Sequence, residues 1–269
     1  MISFQKCSDL SPILELKADY LTSLIAPMDG MWDSGFTLPA PHWKIFHDGI
    51  LAGYYAANDE GGVLQFYLLP AHRKFGRAIW EKIQLQDGLT HAVVSTIDPF
   101  FLSLCLETQK GITVHTNMYE HRWDVIPEHA DSSDLVFRPL KPDELERTIE
   151  FQQACLSDEH DLREWLRGYS SNLINRGETW VLARGDEWIG MGERRKSDSQ
   201  NGVTDVGMMV HPDKRGKGWA VYILTLMTTS CVADGRRVIC STTIENIGAQ
   251  KAIERAGFGS DHRILNVTF

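Results

Sequence analysis

The sequence predicts an α/β (α+β) protein built from two tandem units of similar design, and three observations carry that prediction. In VTDVGMMVHPDKRGKGWAVYILTLM (203–227), Val206, Met208 and Val210 alternate with Asp205, Gly207 and Met209, whereas Val221, Leu224 and Met227 recur at helical spacing. The period switches from strand to helix at a basic turn that contains Gly216 and Gly218. PAHRKFGRA (70–78) then repeats the spacing of PDKRGKGWA (212–220). Pro70, Arg73, Gly76 and Ala78 stand where Pro212, Arg215, Gly218 and Ala220 stand, again between a strand pattern and a helix pattern. Finally, 269 residues suffice for two domains, each with its own core.

The first unit, expected over residues 1–126, opens with a strand near 2–5. Ser11-Pro12 reads as the N-cap and first residue of a helix that carries Ile13, Leu16, Tyr20, Leu21 and Leu24 on one side and ends before Pro27. PMDGMWDSGFTLPAP (27–41) is rich in turn formers yet carries Met28, Met31, Trp32 and Phe36. A loop this long is either a binding segment or lid, or an irregular crossing with its aromatics in the core. Residues 43–70 read as three antiparallel strands, with Asp48-Gly49 a two-residue hairpin turn and 58–62 a looser one. Beyond the helix after 70–78, HAVVSTID (91–98) resembles RVICSTTIE (237–245) as a strand leading into a helix, with Pro99 where the second copy has Asn246. Strands near 112–118 and 120–125 close the unit, and 127–134 reads as a linker.

The second unit, expected over 135–269, starts with a strand at 135–138 and an acidic first helical turn at Pro142, Asp143 and Glu144, which suits the helix dipole. Helical patterns cover 143–155 and 160–175. Two strands, TWVLARG and EWIGMGERR, are joined at Gly185-Asp186. Gly190 and Gly192 in the latter mark a close backbone approach or a bulge. The strand, turn and helix at 203–227 follow, then a strand, a helix and a last strand.

Composition narrows the function. Net charge is −9, which argues against general nucleic-acid binding and allows a cationic substrate to be drawn in. No apolar run approaches the length of a membrane span, and the start MISFQKCSDLSP carries no apolar signal region. Five scattered cysteines without a C-x-x-C pair read as free thiols in a reducing cytoplasm. The ten histidines include no H-E-x-x-H and no trusted metal spacing, so no metal is expected.

The turn at 212–220 has the chemistry of a phosphate cradle. A helix start leaves backbone N–H groups unpaired at the positive end of the dipole. Gly216 and Gly218 put no side chain in a ligand's way, and Lys214, Arg215 and Lys217 add charge. The run matches neither the Walker A pattern nor G-x-G-x-x-G. A basic loop that caps a core helix is the alternative reading.

Pro212, Arg215, Gly218 and Ala220 fit the R-x-x-G-x-[GA] signature of the GNAT superfamily of acyl-CoA N-acyltransferases. ENIGAQKAIERAGF (245–258) is similar to its second signature at Asn246, Ala249, Glu254, Arg255, Gly257 and Phe258. The resemblance implies two tandem GNAT-like domains, each a mixed, mostly antiparallel sheet flanked by helices. It implies that acetyl-CoA is the cosubstrate, held by the main chain near Met209 and Val210, by Arg215, Gly216, Lys217, Gly218, Trp219 and Ala220, and by Asn246 from the second helix. It further implies direct attack of a primary amine on the thioester, without a covalent enzyme intermediate. In the first copy Lys74 and Phe75 replace Gly216 and Lys217, so that cradle reads as degenerate.

An acceptor amine resembling lysine is protonated at pH 7, and deprotonating it costs about 4 kcal/mol from a pKa of about 10.4. A positioned base offsets part of that. Asp205 is the first candidate, on the strand leading into the cradle, and Glu193 on the neighbouring strand is the second; each is otherwise an ordinary strand carboxylate. Asp158, Glu159, His160 and Asp161 lie where the family's acceptor loop falls and could attract a cation, although an ordinary exposed acidic loop with a helix cap is the simpler reading. The family's usual general acid, a tyrosine seven residues after the asparagine, is Ile253 here; Tyr222 on the cradle helix, or a residue of the first unit, is a candidate substitute. The acceptor is expected to be a small-molecule amine, with a protein amine or a non-catalytic acyl-CoA-binding role as alternatives.

Overall fold

The computed structural model describes residues 1–130, 132–156 and 162–269. The chain divides into two compact units, residues 1–118 with 260–269, and residues 119–259.

In the first unit β1 (Ile2–Lys6), β2 (His42–His47), β3 (Ile50–Ala57) and β4 (Gly62–Leu68) pair antiparallel in that order. Asp48 and Gly49 both take positive φ, as the turn signal required. Strand β4 runs parallel to β5 (His91–Ser95) but pairs with it only at Gly62↔His91 and Val63↔Ala92. Successive residues in a strand face opposite ways, and the pairs Tyr54/Tyr55, Phe66/Tyr67 and Val93/Val94 each divide between two cores. Helix α1 (Leu14–Ser23), entered through a 3₁₀ turn at Ser11–Ile13, seals one core with Ile13, Leu16 and Tyr20. Helices α2 (Gly76–Gln84) and α3 (Pro99–Thr108) seal the other with Ile79, Trp80, Ile83 and Phe101.

Three features differ from the sequence reading. The stretch at 27–41 is not wholly loop: Trp32–Thr37 forms a π-helical turn, with Met28 buried and Phe36, stacked on Trp32, 56% exposed. The two strands expected near 112–118 and 120–125 are one strand, β6 (Gly111–His121): Met118, Tyr119 and Glu120, where the break was expected, include no turn former. The last ten residues, assigned from sequence to the second half, fall in the first unit. There the C-terminal part of β12 (Phe258–Thr268) runs antiparallel to β5, from Ile264↔Ser95 to Thr268↔His91. Val267 and Ile264 are buried in the two cores of that unit.

In the second unit β7 (Leu135–Pro139), β8 (Thr179–Arg184), β9 (Glu187–Lys196) and β10 (Val203–Val210) are antiparallel neighbours, and β10 is parallel to β11 (Arg237–Thr243). Helices α4 (Leu145–Cys155) and α5 (Arg163–Asn175) pack Phe151 and Ile174 against Val181, Ala183 and Met191. Helices α6 (Trp219–Ala233) and α7 (Ile247–Arg255) contribute Leu224, Met227, Cys231 and Ile253 to a core with Val206, Val238 and Cys240. The two strand glycines mark a close approach. A Cβ on Gly190 would lie 2.5 Å from Ile223 Cδ1, and one on Gly192 would lie 2.9 Å from Ile223 Cγ2. No helix among the described residues is long and apolar enough to cross a membrane.

Candidate functional site

Strands β10 and β11 start together and part. They pair at Val203↔Arg237, Thr204↔Val238 and Asp205↔Ile239, whereas β10 stays paired with β9 as far as Val210↔Gly190. The far half of β10 therefore has backbone groups facing away from β9 with no strand beside them. Alternation identifies which. His211 N–H donates to Ile189 O on the β9 side, Met209 O lies beside Gly190, and Val210 O turns the other way to accept from Arg215 Nε at 3.2 Å. Val210 and Met208 thus present their backbone groups on the open side. Met209, expected there from sequence, turns its own toward β9, because a single-residue offset in a strand reverses direction.

The turn after β10 opens at a 3₁₀ segment, Pro212–Lys214, and continues through Gly216 (φ +75°) and Gly218 (φ +88°) into α6. Both glycines hold a left-handed backbone that a side chain would strain. Among the described residues, none accepts a hydrogen bond from the N–H of Gly216, Lys217, Gly218, Trp219, Ala220 or Val221, and no side chain caps α6. Six successive donors at the positive end of a fifteen-residue helix form an anion cradle that an acyl-CoA pyrophosphate fits.

The basic residues divide their roles. Arg215 donates to Val210 O and, through Nη2 at 2.7 Å, to Cys155 O, so it braces the turn with its guanidinium. Lys214 pairs with Glu187 at 2.6 Å. Lys217 is exposed and, among the described residues, its Nζ reaches Asp213 O alone, at 3.5 Å. The Trp219 indole is 4% exposed, stacked under His129, so its contribution to the cradle is its N–H. Asn246 is the N-cap of α7: its Oδ1 accepts from Ala249 N–H at 3.1 Å, which commits half of the amide to structure.

Asp205 and Glu193 are brought together. The register places Asp205 opposite Arg195 and Gly207 opposite Glu193, on the face that α5 covers. Arg195 Nη2 donates to Asp205 Oδ1 at 2.7 Å, and Nη1 donates to Glu193 Oε2 at 2.5 Å and to the Tyr169 hydroxyl at 2.8 Å. Tyr169 in turn donates to Glu193 Oε2 at 2.6 Å. A Cβ on Gly207 would stand in ordinary contact, 3.5 Å, with both Arg195 and Glu193, so the glycine borders the network. Burial opposes the charge on Arg195, but Asp205, Tyr169 and Glu193 outweigh it and hold the guanidinium charged. Burial, then Glu193, pushes the Tyr169 phenol far up, so it remains a donor. The sequence pointed to the two carboxylates but not to Arg195 or Tyr169. At 3% and 5% exposure they are members of a buried ion-pair network, not free strand carboxylates.

Ile253, at the position of the family's usual general acid, is 3% exposed and packs in the core with Val206 and Leu224. Tyr222 lies one turn into α6, its ring 6.2 Å from that of Trp219. The acidic run Asp158, Glu159, His160 and Asp161 lies outside the described residues. Among the described residues no group of three or more His, Cys, Asp or Glu side chains is placed to hold a metal ion.

The first unit repeats the framework without the cradle. Arg73 Nε donates to Leu68 O at 3.4 Å, the counterpart of the Arg215 bond to Val210 O, and β4 parts from β5 as β10 parts from β11. With Lys74 and Phe75 in place of a left-handed glycine turn, the 3₁₀ segment Pro70–Phe75 runs straight into α2. Gly76 has φ −53°, its N–H bonds Arg73 O, and the Phe100 ring sits 2.8 Å from where its Cβ would be. One sequence alignment shifts: Asp98, not Pro99, corresponds to Asn246, because Asp98 Oδ1 caps α3 by accepting from Phe101 N–H at 3.0 Å.

The description "Acetyltransferase (GNAT) domain" matches residues 9–122 and, separately, 134–259. Among solved structures, an acetyltransferase from the GNAT family of Colwellia psychrerythraea is 32% identical, covers 99% of both chains and has a TM-score of 0.90. A tandem GNAT protein from the clavulanic acid biosynthesis pathway shares the fold at 14% identity and a TM-score of 0.69, covering 100% of this chain and 98% of its own. A GCN5-related N-acetyltransferase from Sphaerobacter thermophilus does so at 15% and 0.66, covering 98% and 95%. No curated protein sequence matches. With a full-length relative above 30% identity and the same domain matched twice, the chain belongs to the GNAT family of acetyltransferases, as a tandem of two such domains.

Proposed function

We propose that the second unit binds acetyl-CoA and transfers its acetyl group to a primary amine of a small molecule by direct attack in a ternary complex. The observation that carries this reading is the run of six N–H groups from Gly216 to Val221 that no described residue accepts from, beside a strand whose partner has parted from it. Acetyl-CoA supplies an acyl group already activated as a thioester. The chain's residues bind and orient it: the cradle amides with Lys217 take the pyrophosphate, and the backbone of Met208 and Val210 on the open side of β10 takes the pantetheine arm and polarises the acetyl carbonyl. Asn246 retains an amide N–H₂ for the cofactor. Asp205 receives the acceptor's proton, directly or through water, while Arg195 donates to its Oδ1 and Glu193 and Tyr169 fix the guanidinium. The thiolate leaves without a tyrosine at position 253; a thiol of pKa near 8.5 is a fair leaving group. We place the protein in the cytoplasm, where its five free cysteines stay reduced.

Two observations favour a second reading, a non-catalytic acyl-CoA-binding protein: Ile253 is core, and both carboxylates are already paired. Calorimetric titration of acetyl-CoA, followed by a thiol-release assay over a panel of small amines and peptides, decides. Binding with release for a small amine supports the enzyme reading. Release with peptides alone moves the acceptor to protein amines, and binding without any release moves the function to the second reading.

A further inference from the structure

The cradle has a wall that neither GNAT match contains. His129 lies between residue 122, where the first match ends, and residue 134, where the second begins, and it belongs to the second unit. Its ring is stacked on Trp219 with centroids 3.5 Å apart and planes 15° from parallel, and the Tyr222 ring lies 5.9 Å away. Its Nε2 donates to the carbonyl of Lys217 at 2.7 Å. A Cβ on Gly218 would stand 3.5 Å from its Cδ2 and Nε2. A linker side chain is therefore in contact with the turn that the anion has to reach.

A trans peptide points its C=O and its N–H in opposite directions, so whatever fixes the Lys217 carbonyl fixes the Gly218 N–H. That plane sits next to Gly218 and one residue from Gly216, both at positive φ, and glycine rotates at little cost. No side chain caps α6, so among the described residues the His129 hydrogen bond is what holds the plane. The contact also favours a fixed wall over a strap that swings away, because withdrawing the imidazole would break this bond and uncover a buried indole.

We propose that His129 is a positioning residue of the acyl-CoA site: by pinning the Lys217–Gly218 peptide and roofing Trp219, it keeps the Gly218 N–H in the donor set that binds the pyrophosphate. This rests on the cofactor reading above. The test is calorimetric titration of CoA into the full chain and into His129→Ala, His129→Phe and His129→Gln, with pantetheine, which lacks the pyrophosphate, followed in parallel by ligand-detected NMR. Losing one charge-assisted donor is worth about tenfold to a hundredfold in affinity. His129→Ala and His129→Phe should weaken CoA by that factor and leave pantetheine unchanged, and His129→Gln, which retains a donor, should recover part. Unchanged or tighter CoA binding in His129→Ala overturns the proposal while leaving the cofactor reading intact, as does an equal loss for CoA and pantetheine. A wild type that binds no CoA overturns both.

Discussion

Replacing Asp205 by asparagine tests the catalytic reading at the point where the structure complicates it. Arg195 balances two carboxylates, and the Asp205 link is a 2.7 Å hydrogen bond to an almost fully buried oxygen. Asparagine keeps the shape and keeps an oxygen that accepts from Arg195, while Glu193 continues to neutralise the guanidinium. The folding loss is then the difference between a charge-assisted and a neutral hydrogen bond, on the order of 1 kcal/mol, rather than the 3–5 kcal/mol or so expected when a buried charge is stripped of its only partner. If Asp205 takes the proton, thiol release should fall by about 10² to 10⁴, a rise in barrier of roughly 3–5 kcal/mol. Acetyl-CoA affinity should not change, because none of the cradle donors is touched. Thiol release under saturating acetyl-CoA, calorimetry and a chemical melt together separate these effects. A variant that folds, binds acetyl-CoA and turns over within about twofold of wild type refutes the assignment, and Asp205 is then a structural partner of Arg195.

Gly218→Trp, at φ +88° and against His129, should abolish acetyl-CoA binding by calorimetry, whereas Gly76→Ala, at helical φ and facing the Phe100 ring edge and the Leu104 side chain, should leave it intact. Equal losses would show that the working cradle is not confined to the second unit. Gly190→Val puts a methyl-bearing carbon within 2.5 Å of Ile223 and 2.8 Å of Met209 O, so chemical denaturation should show a loss of about 1–3 kcal/mol as α6 is forced off β9. Burial raises the Asp98 carboxyl to about 6. The folded state then holds more protons than the unfolded one between about pH 4 and 6, so this group's contribution to stability increases as pH falls through that window. Asp98→Asn, which preserves the cap as Asn246 does in the other unit, should stabilise by about 2–3 kcal/mol at pH 7, an advantage that fades toward pH 4. His42, lowered to about 4 by burial and Lys17, titrates with the opposite sign in both proteins and cancels in the difference. An unchanged difference between pH 7 and 4 would rule out the buried acid as its source.

Local chemistry determined much of what the sequence disclosed. The glycines of the second cradle, the Asp48-Gly49 hairpin, the small residues that let α6 approach β9 and the duplicated Pro-x-x-Arg spacing each act within a few residues of backbone, where steric rules leave one solution. The degeneracy of the first cradle was legible for the same reason: Lys74 and Phe75 do not readily take the left-handed turn, and the backbone coils on into α2. Tertiary structure decided the rest. Which unit receives strand β12 depends on pairing with β5 across most of the chain, and a strand's side chains carry no address for so distant a partner. Asp205 and Glu193 were visible as carboxylates on neighbouring strands, but their shared guanidinium and the Tyr169 hydroxyl from α5 converge only when register and helix packing are set. His129 stood in a linker without any pattern; its place over Trp219 exists only because the chain folds back there. Hydrogen bonds between residues far apart in sequence leave no periodicity behind, so they are found in the folded molecule alone.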